Sequence, residues 1–228
     1  MELLTLKEIA YRHIRNGILT GVWKPGERLR EDLISHELGM SRTPVREACN
    51  LLVAQGMIKN ERRLGLFVAQ WNSDDLTDLI DVRESLELLA ITKAVERMTA
   101  DMAKELRKRA DAYEQAVKLG KHAQALARDK DFHAYIIEMS QNRHLKRILT
   151  DISSQMELAR VLHCNDEAGF TASCLDHRQI AELLASGDAN GAKEAMHRHL
   201  DRVRKELKER LKQTHNKEEE HAEQGVAH

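Results

Sequence analysis

The segment that decides the fold is Leu38-Gly-Met-Ser-Arg-Thr-Pro-Val-Arg-Glu-Ala48. Its glycine ends one short helical pattern, and either Ser41 or Thr43 can cap the helix that follows. Pro44 suits a first helical turn, because the N–H that it lacks would have no partner there. The pattern therefore predicts a tight turn followed by a helix that runs to about Gln55.

The flanking sequence predicts the rest of a small domain around this turn. Apolar residues recur at helical spacing from Leu6 to Leu19, and a second short helix fits Glu31–Leu38. Downstream, the apolar runs Met57–Ile58 and Leu66–Val68 flank a polar, basic turn, which is typical of a β-hairpin. Three short helices and a basic hairpin predict a winged helix-turn-helix.

The remainder of the chain reads as helix almost throughout. From Ser73 onward, apolar residues keep helical spacing, and we expect breaks at glycine or asparagine positions: Gly120, Asn142, Gly169 and Gly187. The predicted fold is mainly α, with an N-terminal winged helix-turn-helix carrying a small β-hairpin wing and a C-terminal all-α helical bundle. The predicted divisions are a DNA-binding domain at 1–71, a helical effector-binding and dimerisation domain at 72–212 and a disordered tail at 213–228.

Composition agrees with a helical cytoplasmic protein. Aromatic residues are only 4% of the 228, and strands favour aromatic and β-branched residues. No apolar run reaches the roughly 18–20 residues needed to cross a bilayer, and the N-terminus has no signal-peptide core. Three cysteines without paired spacing favour a reducing compartment. We therefore expect a cytoplasmic location and no membrane partner.

Charge is distributed unevenly, in the sense expected for a DNA-binding head. Residues 1–70 hold 11 Lys/Arg and 8 Asp/Glu, a net charge of +3, whereas the remainder holds 25 and 29, a net charge of −4. The helix after the turn would enter the major groove, where hydroxyls suit phosphates and the arginine fork can pair with guanine. The residues expected to contact DNA in this helix and at the wing tip are Ser41, Arg42, Thr43, Arg46, Arg62, Arg63 and Gly65.

The same segments resemble the DNA-binding head of the GntR regulator family. The resemblance covers roughly residues 6–70, and its most specific part is Ser-Arg-Thr-Pro-Val-Arg-Glu-Ala at 41–48. It implies DNA contacts at Arg42, Thr43, Arg46 and the Gly65 wing. One position departs from the family pattern: some members have an arginine at the start of the second helix. Here that position is Asp32, and Arg30, two residues earlier, becomes the candidate contact.

A candidate metal-ligand set lies in the predicted bundle. Asp129 and His133 are four residues apart and so share one helix face, while His177 and His199 fall on two later helices. One carboxylate and three imidazoles can bind a divalent metal and leave positions open for another ligand. Spacing alone does not separate this set from ordinary polar residues of a bundle.

The C-terminal sequence resembles the FCD ligand-binding domain from about residue 75 to residue 205. The resemblance includes Arg83-Glu-Ser-Leu-Glu87 and Asp129-Lys-Asp-Phe-His133, and it implies that the aspartate and three histidines are metal ligands. Zinc, nickel and manganese are all chemically plausible ions. The resemblance also implies a small carboxylic acid effector that completes the metal's coordination. Arg83 and Arg160 could help to neutralise that acid, or they could form structural ion pairs.

Together these features predict a ligand-responsive transcription regulator that is not an enzyme. We expect a homodimer that binds a pseudo-palindromic operator in double-stranded DNA, as a repressor of metabolic genes. Two alternatives stay open. A metal-dependent hydrolase could use the same aspartate and histidines to activate water, or a thiol-based redox regulator could use Cys164 and Cys174.

Overall fold

The structure is a computed structural model that describes residues 4–163 and 167–225. The chain divides into two compact units. One contains the residues up to Gln70 together with Asp151–Leu158, and the other contains Trp71–Thr150 and the residues from Ala159 onward. Each unit is described by itself below.

The N-terminal unit begins with three helices: α1 (Leu6–Leu19), α2 (Glu31–Glu37) and α3 (Arg42–Ala54). A capping box starts α1, since the side chain of Thr5 accepts from the backbone of Glu8 and the Glu8 carboxylate accepts from the backbone of Thr5. Helices α1 and α3 pack against each other through apolar faces that exclude solvent. This packing holds α3 with its polar face outward.

A small antiparallel sheet completes this unit. Its strands are β1 (Arg28–Leu29), β2 (Ile58–Glu61) and β3 (Gly65–Val68), in the order β1-β3-β2. Strands β2 and β3 form the hairpin that the sequence predicts, and the winged helix-turn-helix is confirmed. Strand β1 was not predicted, because two residues are too few to show an alternating pattern.

The C-terminal unit is built from long helices. They are α4 (Ser73–Val95), α5 (Ala100–Lys118), α6 (His122–Met139), α8 (Glu167–Ala185), α9 (Ala189–Gly225) and the two ends of α7 (Arg143–His163), whose middle part, Asp151–Leu158, belongs to the N-terminal unit. Helix α5 packs against α6 and α8, and α9 packs against α4 and α8. Large apolar side chains such as Tyr113, Phe132 and Ile136 are fully buried. The mainly α fold with a helical bundle is therefore confirmed.

The structure differs from the sequence prediction at two helix ends. Helix α8 begins at Glu167, so that Gly169 lies within a helix rather than in a break. A Cβ at this glycine would stand 3.0 Å from Oε2 of Glu206 on α9. Helix α9 continues to Gly225, where the sequence suggested a disordered tail from 213. The lysine, glutamate and alanine residues of this stretch are good helix formers, so that it can extend α9 without an apolar face.

Among the described residues, no helix has both the length and the apolar character that a membrane span requires.

Candidate functional site

The start of α3 presents a polar face to solvent. Ser41 is its N-cap residue, with extended backbone and no side-chain capping bond, and Pro44 lies in the first turn. The side chains of Arg42, Thr43 and Arg46 are exposed. Because the hydroxyl of Ser41 is not used to cap the helix, it remains available to an external group. This face has the groups that contact DNA phosphates and bases in helix-turn-helix proteins.

Two arginines of this unit contact acidic residues of α2. Arg30 donates to Asp32 from Nη2 at 2.8 Å and from Nε at 3.3 Å, and the two side chains are 57% and 36% exposed. Arg46 makes one longer contact, from Nε to Oε2 of Glu31 at 3.4 Å. Both pairs are open to solvent, so both guanidinium groups keep N–H groups that DNA can reach.

The wing tip lies between β2 and β3. Arg62 and Arg63 are exposed there, and Arg63 adopts a φ of +69°, which is uncommon for residues other than glycine. Gly65 has a φ of +110° and lies against the side chain of Arg28, since a Cβ at this glycine would be 3.3 Å from Nε of that arginine. Glycine is therefore needed at this position for its backbone conformation.

A cleft of about 710 Å³ joins α2, α3 and the wing in this unit. Four of the predicted DNA contacts line the cleft: Arg30, Arg42, Arg46 and Gly65. The other four do not line it and are exposed: Ser41, Thr43, Arg62 and Arg63. Arg28, Asn50 and Asn60 are among the other lining residues, and the sequence analysis did not predict them as DNA contacts. Asn50 could have been found, because it lies four residues after Arg46 on the same helix face. Arg28 could not, because its position depends on the pairing of β1 with β3.

In the C-terminal unit, the predicted ligand residues come together. Asp129 and His133 on α6, His177 on α8 and His199 on α9 each offer one ligand atom, and these atoms lie within 4.8 Å of one another. All four residues are at most 5% exposed. The distances between imidazole ring centroids are 5.0–5.3 Å. Three helices thus converge on one buried point.

A carboxylate on α4 orients the ring of His133. Nδ1 of this histidine lies 2.7 Å from Oε2 of Glu87, and Oε1 of Glu87 accepts from Nε of Arg83 at 2.6 Å. Burial by itself would raise the pKa of Glu87, but Arg83 and His133 outweigh burial and lower the pKa to about 2. An ionised carboxylate only accepts, so that Nδ1 carries a proton and Nε2 is the nitrogen that faces the cluster.

His199 is oriented by a comparable chain of contacts. Its Nδ1 lies 3.1 Å from Oδ2 of Asp176, which also accepts from Nη2 of Arg202 at 2.6 Å. Arg202 in turn donates to Glu206 at 2.7 Å. Burial lowers the pKa of His199 to about 4, despite the opposing effect of Asp176. The imidazole is therefore neutral at physiological pH, which is the form that binds a metal.

His177 is held by aromatic packing instead of a carboxylate. Its ring stacks on Phe132 at a centroid distance of 4.3 Å. The ring of Tyr113 is tilted relative to the imidazole, and the two centroids are 4.7 Å apart. Burial, together with the neighbouring imidazoles and Arg160, keeps the pKa of His177 well below its ordinary value, although Asp129 opposes the shift. This ring is also neutral, and its Nε2 lies 3.4 Å from Oδ1 of Asp129.

Asp129 supplies the single carboxylate of the cluster. Its Oδ2 accepts from Nη1 of Arg160 at 2.5 Å. Burial would raise its pKa, but Arg160 and the three imidazoles hold the pKa well below the usual range. Asp129 is therefore ionised, and one oxygen, Oδ1, is directed to the histidines.

The donor atoms of this cluster fit a metal ion. Among the described residues, several buried atoms have no hydrogen-bond partner, and leaving such atoms unpaired is costly. They include Asp129 Oδ1, His133 Nε2, His177 Nδ1, His177 Nε2 and His199 Nε2. Neutral imidazoles whose other nitrogen donates to a carboxylate are the usual ligands of zinc and related ions. The arrangement is therefore suited to a divalent transition metal.

The two candidate effector arginines differ in position. Arg83 is buried and bonded to Glu87, so that it reaches the cluster only through that carboxylate and His133. Arg160 contacts Asp129 directly and also lines a cavity of about 260 Å³ together with Gly169, Phe170 and Glu206. Arg160 thus connects the cluster with open space in the same unit.

The cysteine alternative falls partly outside the described residues. Cys164 is not among them. Cys174 is half-buried, its Sγ donates to the carbonyl of Phe170 at 3.4 Å, and burial raises the pKa of its thiol. A raised thiol pKa disfavours the reactive thiolate that a redox switch uses.

Comparison with known families decides the class of the protein. A model of the bacterial regulatory proteins of the gntR family matches residues 6–68, and a model of the FCD domain matches residues 78–202. The chain belongs to the GntR family. As a GntR protein with an FCD domain, it is a ligand-responsive, DNA-binding transcription regulator and not an enzyme, so that the hydrolase alternative is not favoured.

Individual GntR relatives match most of the chain. It is 27% identical over 204 residues to the HTH-type transcriptional regulator YdhC of Bacillus subtilis (strain 168), which covers 89% of this chain and 91% of that protein. It is 24% identical over 206 residues to the gluconate operon transcriptional repressor of the same organism, covering 88% and 84%. A solved GntR transcriptional regulator from Rhodococcus sp. RHA1 shares the fold, with a TM-score of 0.76, 19% identity, and coverage of 88% and 96%.

Proposed function

We propose that this GntR protein is a cytoplasmic, homodimeric repressor of metabolic genes that senses a small carboxylic acid at a metal ion. The observation that carries the proposal is the convergence of unpartnered, buried ligand atoms on one point. Asp129, His133, His177 and His199 would hold one zinc, nickel or manganese ion. Residues 72–212 would bind the effector and form the dimer, and residues 1–71 would bind the operator.

The charges around the cluster support an acidic effector. Two buried carboxylates, Asp129 and Glu87, are matched by two buried guanidinium groups, Arg160 and Arg83. A divalent ion would add two positive charges that these groups do not neutralise, and uncompensated buried charge is costly. A carboxylate bound at the metal would reduce this excess. Arg160, which also lines the adjacent cavity, is the side chain best placed to contact a second acidic group of the effector.

The four ligands leave room for such a molecule. A divalent transition metal with one carboxylate and three imidazoles keeps further coordination positions, and these would accept oxygen atoms of the effector. Glu87 and Asp176 would hold the rings of His133 and His199 in the orientation that metal binding requires. The ion would then anchor the acid and stiffen the bundle rather than catalyse a reaction.

DNA binding would depend on the exposed arginines of the N-terminal unit. Arg42 and Arg46 would contact bases from the start of α3, with Ser41 and Thr43 on phosphates. Arg62, Arg63 and Gly65 would bring the wing to the DNA backbone or groove, and Arg30 would act from the start of α2. Two copies would read the two halves of a pseudo-palindromic site. Repression is suggested by the named function of the gluconate operon repressor.

Metal content provides the decisive experiment. Purified protein is dialysed against each of Zn²⁺, Ni²⁺ and Mn²⁺, freed of excess ion and analysed for bound metal per chain. We expect one ion per chain in the wild type and a loss of it in His133→Ala/His177→Ala. His197→Ala is the matched control, because His197 lies on α9 but is exposed and pairs with Glu84. Equal metal content in all three proteins, or none in the wild type, would overturn the metal proposal.

Effector class is tested separately by thermal shift. A panel of small mono-, di- and tricarboxylic acids is added to the metal-loaded and the metal-free protein, since a ligand that binds the folded state raises its melting temperature. Stabilisation that requires the metal and is reduced in Arg160→Ala supports the proposal. Arg178→Ala is the control, because this exposed arginine pairs with Glu114 and is not part of the cluster. Stabilisation by neutral analogues to the same degree would contradict an acid sensor.

A further inference from the structure

Arg30 and Asp32 form a two-bond contact at the edge of the DNA-binding cleft. The bonds run from Nε to Oδ1 at 3.3 Å and from Nη2 to Oδ2 at 2.8 Å. The carboxylate of Asp32 therefore occupies the Nε/Nη2 edge of the Arg30 guanidinium. The arginine side chain is nevertheless 57% exposed, and both residues line the cleft. The guanidinium of Arg30 is therefore held in one orientation, and it remains accessible to solvent.

The contact with Asp32 leaves the Nη1/Nη2 edge of the Arg30 guanidinium available to DNA. A guanidinium is a rigid plane with five N–H groups, and its Nε/Nη2 edge and its Nη1/Nη2 edge can each bind two acceptors. Asp32 occupies the first edge. The second edge is the one that can present two N–H groups end-on to O6 and N7 of a guanine. A fixed first edge therefore gives the second edge a defined direction.

We propose that Asp32 is a specificity-determining residue, which positions Arg30 to read a guanine and discourages Arg30 from binding phosphate. The proposal rests on the DNA-binding function proposed above. An arginine that neutralises a phosphate strengthens binding to every sequence alike. A carboxylate bonded to the same guanidinium repels phosphate, so that Arg30 contributes to affinity only where a base offers matching acceptors.

The comparison with Arg46 shows why this role falls to Asp32. Arg46 touches Glu31 through a single contact of 3.4 Å, which restricts its direction less than two parallel bonds do. The hydrogen bond from Arg30 lowers the pKa of Asp32 below its ordinary value, so that this carboxyl is ionised at neutral pH. Arg30 is thus oriented in the free protein, whereas the side chain of Arg46 can change its orientation more easily when it binds DNA.

The test is a binding selection from a library of randomised duplex DNA, followed by competition assays. The wild type, Arg30→Ala, Arg30→Lys and Asp32→Asn proteins are each selected on the same library. Glu37→Gln is the matched control, because Glu37 is an exposed carboxylate at the other end of α2. Each purified variant is first checked for an unchanged melting temperature.

We expect the wild-type motif to contain a symmetry-related guanine whose preference is lost in Arg30→Ala, Arg30→Lys and Asp32→Asn but kept in Glu37→Gln. The ratio of affinities for the selected and a scrambled duplex should fall about tenfold in Asp32→Asn. Its affinity for the scrambled duplex should rise, and the slope of log affinity against log salt should steepen by about one phosphate contact. A merely structural role for Asp32 would weaken both duplexes equally.

Failure of this inference is distinguishable from failure of the proposed function. If the wild type enriches no motif, DNA-sequence recognition itself is refuted. If Arg46→Ala alters the motif while Asp32→Asn and Arg30→Lys keep the wild-type guanine, only the role of the Arg30–Asp32 pair is refuted. An equal loss of affinity for selected and scrambled duplexes in Asp32→Asn would likewise overturn it.

Discussion

The two units use arginine–carboxylate pairs in opposite settings. In the N-terminal unit, the pairs Arg30–Asp32 and Arg46–Glu31 are open to solvent. In the C-terminal unit, Arg83–Glu87 and Arg160–Asp129 are nearly closed to solvent, with side chains at most 8% exposed. Exposed ion pairs contribute little to stability, whereas removal of one partner from a buried pair leaves an uncompensated charge. The exposed arginines therefore keep N–H groups that DNA can reach, whereas the buried arginines are committed to the fold.

The largest effect is expected from removing a buried charge. Glu87→Gln leaves Arg83 without a negative partner, so that the free energy of unfolding of the metal-free protein should fall by about 3–5 kcal/mol. Urea denaturation, followed by circular dichroism, measures the loss. The double variant Arg83→Leu/Glu87→Gln should recover most of it, because the glutamine can still accept from Nδ1 of His133. A loss below about 1 kcal/mol in the single variant would show that this pair behaves like a surface pair.

Metal binding should stabilise the C-terminal unit by a somewhat smaller amount. With free Zn²⁺ at 100 times its dissociation constant, the free energy of unfolding should rise by about 2.7 kcal/mol, because the ion binds the folded state. The measurement is a urea titration with and without the ion. His177→Ala should show no such rise, while His197→Ala should match the wild type. A rise of equal size in His177→Ala would place the ion elsewhere.

The exposed arginines should show the reverse pattern, with a large effect on DNA binding and none on folding. Replacing Arg42 or Arg46 by alanine should cost about 1–3 kcal/mol of operator binding and relax the preference at one base position. Arg62→Ala should instead weaken binding to all sequences and flatten the salt dependence. Fluorescence anisotropy on matched and scrambled duplexes separates these outcomes. Unchanged specific affinity in both α3 variants would refute the assignment of α3 as the reading helix.

The smallest effect is expected at a surface pair of the C-terminal unit. Arg107 donates two bonds to Glu182, at 2.7 and 2.8 Å, yet both side chains are about half exposed. Solvent screens such a pair, so that Arg107→Ala should leave the denaturation midpoint unchanged within error. Because its geometry is as good as that of Arg83–Glu87, a marked loss here would mean that geometry rather than burial decides the strength of these pairs.

Much of the fold could be predicted because it depends on local patterns. The turn and helix at 38–48, the β2–β3 hairpin and the long helices follow from spacing, capping residues and glycines. The start of α8 and the extension of α9 were missed, since each depends on packing or on charged helix formers rather than on an apolar stripe. Gly169 suggests a break in a sequence, but in the structure it allows Glu206 to approach α8 closely.

The candidate site was predictable in its ligand residues and not in the residues that hold them. Asp129 and His133 share a helix face, and the resemblance to the FCD domain supplied His177 and His199. The contact between Glu87 and His133 joins residues 46 positions apart, and nothing local to either residue reveals it. The same holds for Asp176 and His199 across 23 positions. Asp32 stood out as a departure from the family pattern, but its bond to Arg30 needed coordinates.

The close approach of Glu206 to Gly169 limits the substitutions that this position can accept during evolution. A methyl group there would press on Glu206, which is bonded to Arg202, which holds Asp176 against His199. Substitution of Gly169, which is not itself a candidate ligand, is therefore tied to the orientation of one. Lineages that replace this glycine should carry a compensating change at position 206, so that the two positions covary even though neither touches the cluster itself.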